Sequence, residues 1–362
     1  MGNPQILARE NMEQKTEEFL WVDWMRVLAT FGVVFLHTAS PLLSMYHNVP
    51  DSYWWIANIY DSMVRMSVPL FFMISGFLLL PKQYSLLTFF SKRVHKVLIP
   101  LLAWSIFFLL WKAYYEHSIS LSLDSFLSLI SAPAYFHLWF FYALLGLYLA
   151  VPVLRVIAQH AEPTILQYFV ALWFIGASLI PLVEKFSGIQ IGINLNFLLG
   201  YGGFFILGYL LGTHPVTKTH ARIACVTACM CVMITAVGTY FLMIANDGLH
   251  NGYLYRPLAP NVIVLAGSTF VLVRFVVEHY PFVKHETVHM IIRSLSTASL
   301  GIYLIHVIIL NLLRHGHLGI YLYGYRGNPA IHIPITALAT FCLSYAMISI
   351  LRMNHLTRKL VP

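Results

Sequence analysis

The chain has 362 residues, 59% of them hydrophobic and 10% charged, with a formal net charge of +8 and a mean hydropathy of +0.73. Soluble domains carry about 25% charged residues, so this composition excludes a water-soluble globular protein and points to an all-α, polytopic integral membrane protein. The positive balance then reads as Lys and Arg gathered in cytoplasmic segments, with no nucleic acid implied.

Residues 1–18 carry Glu10, Glu13, Glu17 and Glu18 where a signal peptide carries positive charge, and the apolar run that follows is too long for one. They are expected to form a short cytoplasmic tail. A spanning helix needs about 20 mostly apolar residues. Runs of that kind fall near 20–42, 55–80, 97–115, 136–157, 164–184, 196–213, 222–245, 258–278, 296–314 and 331–351, which makes about ten transmembrane helices. The run 196–213 is the shortest and holds Gly200, Gly202, Gly203, Gly208 and Gly212. Such glycines suit close helix packing, and equally a broken or re-entrant segment. Cys225, Cys229, Cys231 and Cys342 lie inside apolar runs, so neither a disulfide framework nor a metal site is implied.

With a cytoplasmic N-terminus, fifteen Lys and Arg fall on the inside and five (Lys112, Lys185, Arg256, Arg314 and Arg326) on the outside, leaving Arg26 and Arg65 in the membrane. This satisfies the positive-inside rule, and an even helix count places both termini inside. The membrane domain is expected over 19–352, with 353–362 as a cytoplasmic tail.

The first helix, "WVDWMRVLATFGVVFLHTAS" (21–40), holds Asp23, Arg26 and His37 in an apolar run. Eleven residues are close to three full turns, so Arg26 and His37 share a face, roughly 16 Å apart along the axis. Arg26 falls near the cytoplasmic end, with Asp23 at i−3 to pair with it, and His37 lies toward the outer end. Snorkelling of Arg26 and packing of His37 are the plain alternatives; the shared face favours a lined path. In the second helix, Arg65 precedes Pro69, expected to kink it, and Ser75-Gly76; local back-bonding is the ordinary fate of a lone membrane serine such as Ser75. "SKRVHKVLIP" (91–100) then clusters Lys92, Arg93 and Lys96 at the cytoplasmic surface. The cluster suits either a topology signal with anionic-lipid contact or a diphosphate clamp. "FHLWFF" sets His137 and Trp139 at the outer end of helix four. "SLGIYLIHVIIL" aligns Ser299, Tyr303 and His306 on one stripe of helix nine, as readily helix–helix glue as a site.

Together these stretches resemble the acyltransferase-3 family of membrane O-acyltransferases, above all its short single-domain bacterial members that acetylate surface polysaccharides. "VDWMRVLATFGVVFLHT", "VPLFFMISGFLLL", "SKRVHKVLIPLLAW", "HLWFFYALLGLYLAVPVL" and "SLGIYLIHVIIL" occur in family order across 20–315. The resemblance implies transfer of an acetyl group from cytoplasmic acetyl-CoA to a hydroxyl of a cell-envelope glycan outside the bacterial inner membrane. It makes His37 the catalytic histidine and Arg26 its paired arginine, and Arg93 and Lys96 the cytoplasmic basic motif, with Lys96 where many members have a second arginine. The candidate site is therefore His37 and Arg26 for catalysis. Arg26, Arg65, Ser75, Lys92, Arg93 and Lys96 are candidates for the donor, and His137, Trp139, Tyr303 and His306 for the acceptor. No metal is assigned. A proton-coupled transporter using Arg26, Arg65, His37 and His306 fits the same topology, but no self-similarity relates 1–180 to 181–362.

Overall fold

The computed structural model describes residues 20–192 and 200–361, so the expected tail 1–18 and the start of the run 196–213 lie outside the described residues. The chain is all-helical there. The helices are α1 (Leu20–Ala39), α2 (Asp51–Val64), α3 (Ser67–Leu79), α4 (Leu86–Arg93), α5 (Ile99–Tyr114), α6 (Leu123–Ser131), α7 (Trp139–His160), α8 (Pro163–Phe174), α9 (Ile180–Ser187), α10 (Gly202–Thr213), α11 (Lys218–Ile244), α12 (Pro260–His279), α13 (Glu286–Arg314) and α14 (Pro329–Met353).

Several of these join end to end. Among the described residues nine continuous stretches are long and apolar enough to span a membrane: Leu20–Asn48, Asp51–Leu79, Leu86–Tyr114, Phe136–His160, Pro163–Ser187, Lys218–Ile244, Tyr253–His279, Glu286–Arg314 and Pro329–Met353. They account for nine of the ten sequence runs. The tenth appears as α10, whose 12 residues reach about 18 Å against a hydrocarbon core of about 30 Å.

Glycine contacts seat this short helix against α3. A Cβ on Gly76 would lie 2.1 Å from the Phe205 carbonyl oxygen, and one on Gly208 would lie 2.1 Å from that of Met73. The two backbones touch because neither position carries a side chain. Beside them, Trp173 Nε1 donates to the Gly200 carbonyl at 2.5 Å.

Burial identifies the centre. In Glu286–Arg314, 67% of the most apolar window is enclosed by protein, against 22% in Pro163–Ser187 and in Lys218–Ile244. The central α13 packs along α1 in the same direction. Ser296 Oγ donates to Asp23 Oδ1 at 2.5 Å, and farther along both helices His37 stacks on His306. This parallel pair is the frame on which the site is built.

The basic segment 92–96 is helical throughout. Lys92 and Arg93 occupy the last turn of α4, capped at its start by Ser85, and Lys96 sits in a π-helical turn, Val94–Leu98, that runs directly into α5. The cations therefore ride on a rigid helix. A widened π turn of this kind often marks a functional position.

Candidate active site

His37 occupies the last turn of α1, where a basic group suits the helix dipole. Pro41, four residues on, has no N–H to give the His37 carbonyl, and the chain tightens into the 3-10 segment Ser40–Asn48. The His37 ring stacks on that of His306 with centroids 5.3 Å apart and planes at 27°. The Phe136 ring meets it edge-on at 5.0 Å.

His306 is fully buried on α13 and forms the centre of the group. Its Nδ1 lies 2.6 Å from the Tyr303 carbonyl oxygen. A carbonyl only accepts, so Nδ1 carries the proton and Nε2 of the neutral ring holds a lone pair, with no partner among the described residues. His137, in the 3-10 turn that opens α7, meets His306 edge-on at 5.3 Å. Its Nε2 donates to the Leu304 carbonyl at 3.3 Å, leaving Nδ1 as a second unpartnered lone pair among the described residues. Tyr303 fixes this turn by donating its hydroxyl to the His137 carbonyl at 2.6 Å. Three imidazoles from α1, α7 and α13 thus converge, two of them held in defined tautomers.

His37 opens outward onto a cavity of about 210 Å³ bordered by Tyr135, Phe136, Asn311, Arg314, Tyr323 and Tyr325. The Arg314 guanidinium donates to the Tyr325 hydroxyl at 2.6 Å. Tyr135 donates to Glu116 Oε1 at 2.7 Å. Burial, reinforced by that carboxylate, pushes the Tyr135 phenol above its ordinary value, so it stays a hydrogen-bond donor. Aromatic faces with a few polar groups suit a ring bearing hydroxyls.

At the other end of the α1–α13 pair lies a cavity of about 930 Å³ lined by Arg26, Lys96, Ser296, Ser299 and Arg352, and by His355, Arg358 and Lys359 beyond α14. Arg26 is held by Asp23 at 3.5 Å. Seven residues of α13, about 10 Å, separate Ser299 at this cavity from His306 at the imidazole cluster.

The structure brings together His37, His137, Tyr303 and His306 at one end and Arg26 with Lys96 at the other. Arg93 stands near Arg26, since both act electrostatically on Tyr148. Its guanidinium lies over the Phe89 and Tyr148 rings at 5.5 and 5.4 Å. Four expected residues join neither cluster. Lys92 lies over the Tyr84 ring at 4.4 Å, off the cavity lining. Arg65 is bonded to Asp61 and lies over the Tyr255 ring at 4.0 Å, away from Arg26 but within electrostatic range of His37. Ser75 back-bonds to the Phe71 carbonyl at 2.8 Å. Trp139 packs on Tyr201, 5.8 Å between centroids. Conversely, Asn311, Arg314, Tyr323 and Tyr325 outside and Arg352, His355, Arg358 and Lys359 inside escaped the sequence reading. The stripe 299–303–306 passes close to Arg314 farther along α13, a signal that was present, whereas the C-terminal cations look like ordinary topology charges.

Among the described residues no group of three or more His, Cys, Asp or Glu has the geometry to hold a metal ion. Two cavities of opposite character at the two ends of one parallel helix pair, with imidazoles at one of them, form the candidate site of a polytopic membrane protein. The chain belongs to the acyltransferase-3 family: the family model described as "Acyltransferase domain" matches residues 19–349. It is a membrane acyltransferase, and the transporter reading gives way. Neither a curated protein nor a solved structure matches the chain.

Proposed function

We propose that the protein transfers an acetyl group from cytoplasmic acetyl-CoA to a hydroxyl of a glycan on the outer face of a bacterial inner membrane. The observation that carries this reading is the pairing of a cationic cavity at Arg26 and Lys96 with an aromatic, hydroxyl-lined cavity at His37 along α1 and α13. A phosphorylated head suits the first, a sugar the second, and a thin thioester-bearing arm the span between them. The excess of Lys and Arg on the same side as Arg26 assigns that side to the cytoplasm.

His37 borders the acceptor cavity and serves as general base. As it takes the proton from the sugar hydroxyl, the oxygen attacks the thioester carbonyl and the carbon–sulfur bond breaks. The departing thiolate receives the proton from His37, giving the O-acetyl ester and free coenzyme A. A two-step variant shares this geometry: an imidazole nitrogen takes the acetyl group with release of the thiolate, then yields it to the hydroxyl. The ring of His306, stacked on His37, and that of His137, edge-on to His306, each keep an unpartnered lone pair and offer acceptors for a relayed proton.

Purified protein in lipid nanodiscs, supplied with acetyl-CoA labelled in the acetyl group and envelope glycan fragments, is expected to place label in the glycan as a base-labile ester. One coenzyme A should be released per ester. Labelled glycan arising equally without protein, or protein-dependent hydrolysis alone, would refute the reading.

A further inference from the structure

The chain beyond α14 does not trail away from the bundle. After Asn354 it turns back through the 3-10 segment Thr357–Lys359, and its backbone is fastened on several sides. Trp104 Nε1 on α5 donates to the Leu360 carbonyl at 3.0 Å, and Arg352 Nε donates to the Val361 carbonyl at 2.9 Å. The Arg352 guanidinium also donates to the Thr297 carbonyl on α13 at 2.6 Å, and Val361 is buried. Two helices, α5 and α14, therefore hold the segment directly, and Arg352 ties it to α13. Its charged side chains are left outside this fastening: Arg358 and Lys359 are exposed and border the same cavity as Arg26 and Lys96. The ion pairs among the described residues are Arg26–Asp23, Arg65–Asp61 and Arg274–Glu278, and none engages Arg358 or Lys359.

The cavity thus counts five Arg or Lys side chains and no Asp or Glu in its lining. The positive-inside rule accounts for cationic residues near the inner surface, but it requires only their number. It does not require the chain to fold back, bury Val361 and aim two cations into a cavity. Several cations lining one cavity suit a ligand with several phosphate groups.

We propose that the C-terminal segment His355–Val361 is a wall of a polyphosphate-binding site, holding the ligand's phosphates between Arg358 and Lys359 on the segment and Arg26 and Lys96 on the bundle. This rests on the donor reading given above, and it adds residues far from α1 and α4 to the donor's grip. Phosphate is the recognised chemistry, and it has two sources at this depth: the head of a nucleotide-bearing thioester and the headgroup of an anionic phospholipid. The cavity's volume of about 930 Å³ and its reach to Ser299 on α13 favour the nucleotide-bearing donor.

The test compares Arg358→Glu/Lys359→Glu with Lys218→Glu/Arg222→Glu, which makes the same charge change on cytoplasm-facing residues off the cavity. Coenzyme A binding is measured calorimetrically in nanodiscs of neutral phosphatidylcholine, and again in phosphatidylglycerol. The tail variant is expected to bind coenzyme A at least about tenfold more weakly in neutral lipid, as loss of charge-assisted bonds to phosphate implies. Its affinity should also depend less steeply on salt, and the control should stay within about twofold of wild type. If the reversed charges prevent folding, as judged by thermal unfolding, Arg358→Gln/Lys359→Gln is measured instead, with a smaller loss in the same direction. Wild-type affinity in a folded tail variant overturns the proposal, as does a loss confined to phosphatidylglycerol discs, which would make the ligand a lipid. Failure of the wild-type protein itself to bind coenzyme A would overturn the donor reading and the tail's role with it. Binding without acetyl transfer would overturn only the transfer reading.

Discussion

At the scale of single residues, charge inside the membrane is tolerated only where something compensates it. Asp61 is fully buried; it accepts from Arg65 and from Ser40 Oγ at 2.9 Å, and the Arg65 side chain is 16% exposed. Breaking one side of such a buried pair leaves an uncompensated charge, at a cost of about 3–5 kcal/mol. Asp61→Asn is therefore expected to lower the unfolding temperature markedly, and Asp61→Asn with Arg65→Gln to recover much of the loss. A double variant no more stable than the single one would mean that Arg65 is compensated by something else. The sequence showed Arg65 as an intramembrane cation but not its partner. Asp61 lies one turn away, as i,i+4 pairs do, yet nothing in the sequence distinguishes this pairing from an approach to Arg26. The same limit explains Ser75, whose local back-bonding satisfies it without a ligand.

At the scale of elements, three of the expected site residues stand four positions before a proline: His37 before Pro41, Arg65 before Pro69 and Lys96 before Pro100. A proline cannot donate to the carbonyl four residues back, so the helix changes course there. The structure shows a 3-10 segment after His37, a break at Arg65–Met66 and a π turn around Lys96. The proline spacing stands in the sequence, and it puts the candidate residues His37 and Lys96 and the ion-paired Arg65 where helices change course. The lengths of the spans were legible too, since hydropathy alone fixes them. The seating of α10 was not, because close backbone approach depends on which glycine meets which helix. Gly76→Ala is expected to force α3 and α10 apart, since the added methyl meets backbone that cannot rotate away, and overpacking of this kind costs about 1–3 kcal/mol. Gly146→Ala, with nothing within 4 Å of the new Cβ, should be neutral. Equal thermal unfolding of the two variants would contradict the close packing described here.

At the scale of the whole molecule, a cationic cavity and an aromatic one lie at opposite ends of the α1–α13 pair. Both ends were legible on α1 itself, because Arg26 and His37 share a helix face. The convergence of His137 and His306 on His37 was not, because it depends on α7 and α13 meeting α1 at the same depth. Under the proposed function these ends have separate tasks, donor binding at Arg26 and chemistry at His37. The most direct test is to measure, on one preparation of His37→Ala in nanodiscs, both coenzyme A affinity and acetyl transfer to glycan. Affinity should stay at the wild-type value, since His37 lies about 16 Å along the helix from Arg26. Transfer should fall by about 10²–10⁴-fold, the usual contribution of a positioned general base. Transfer near the wild-type rate from a folded His37→Ala protein would contradict the account.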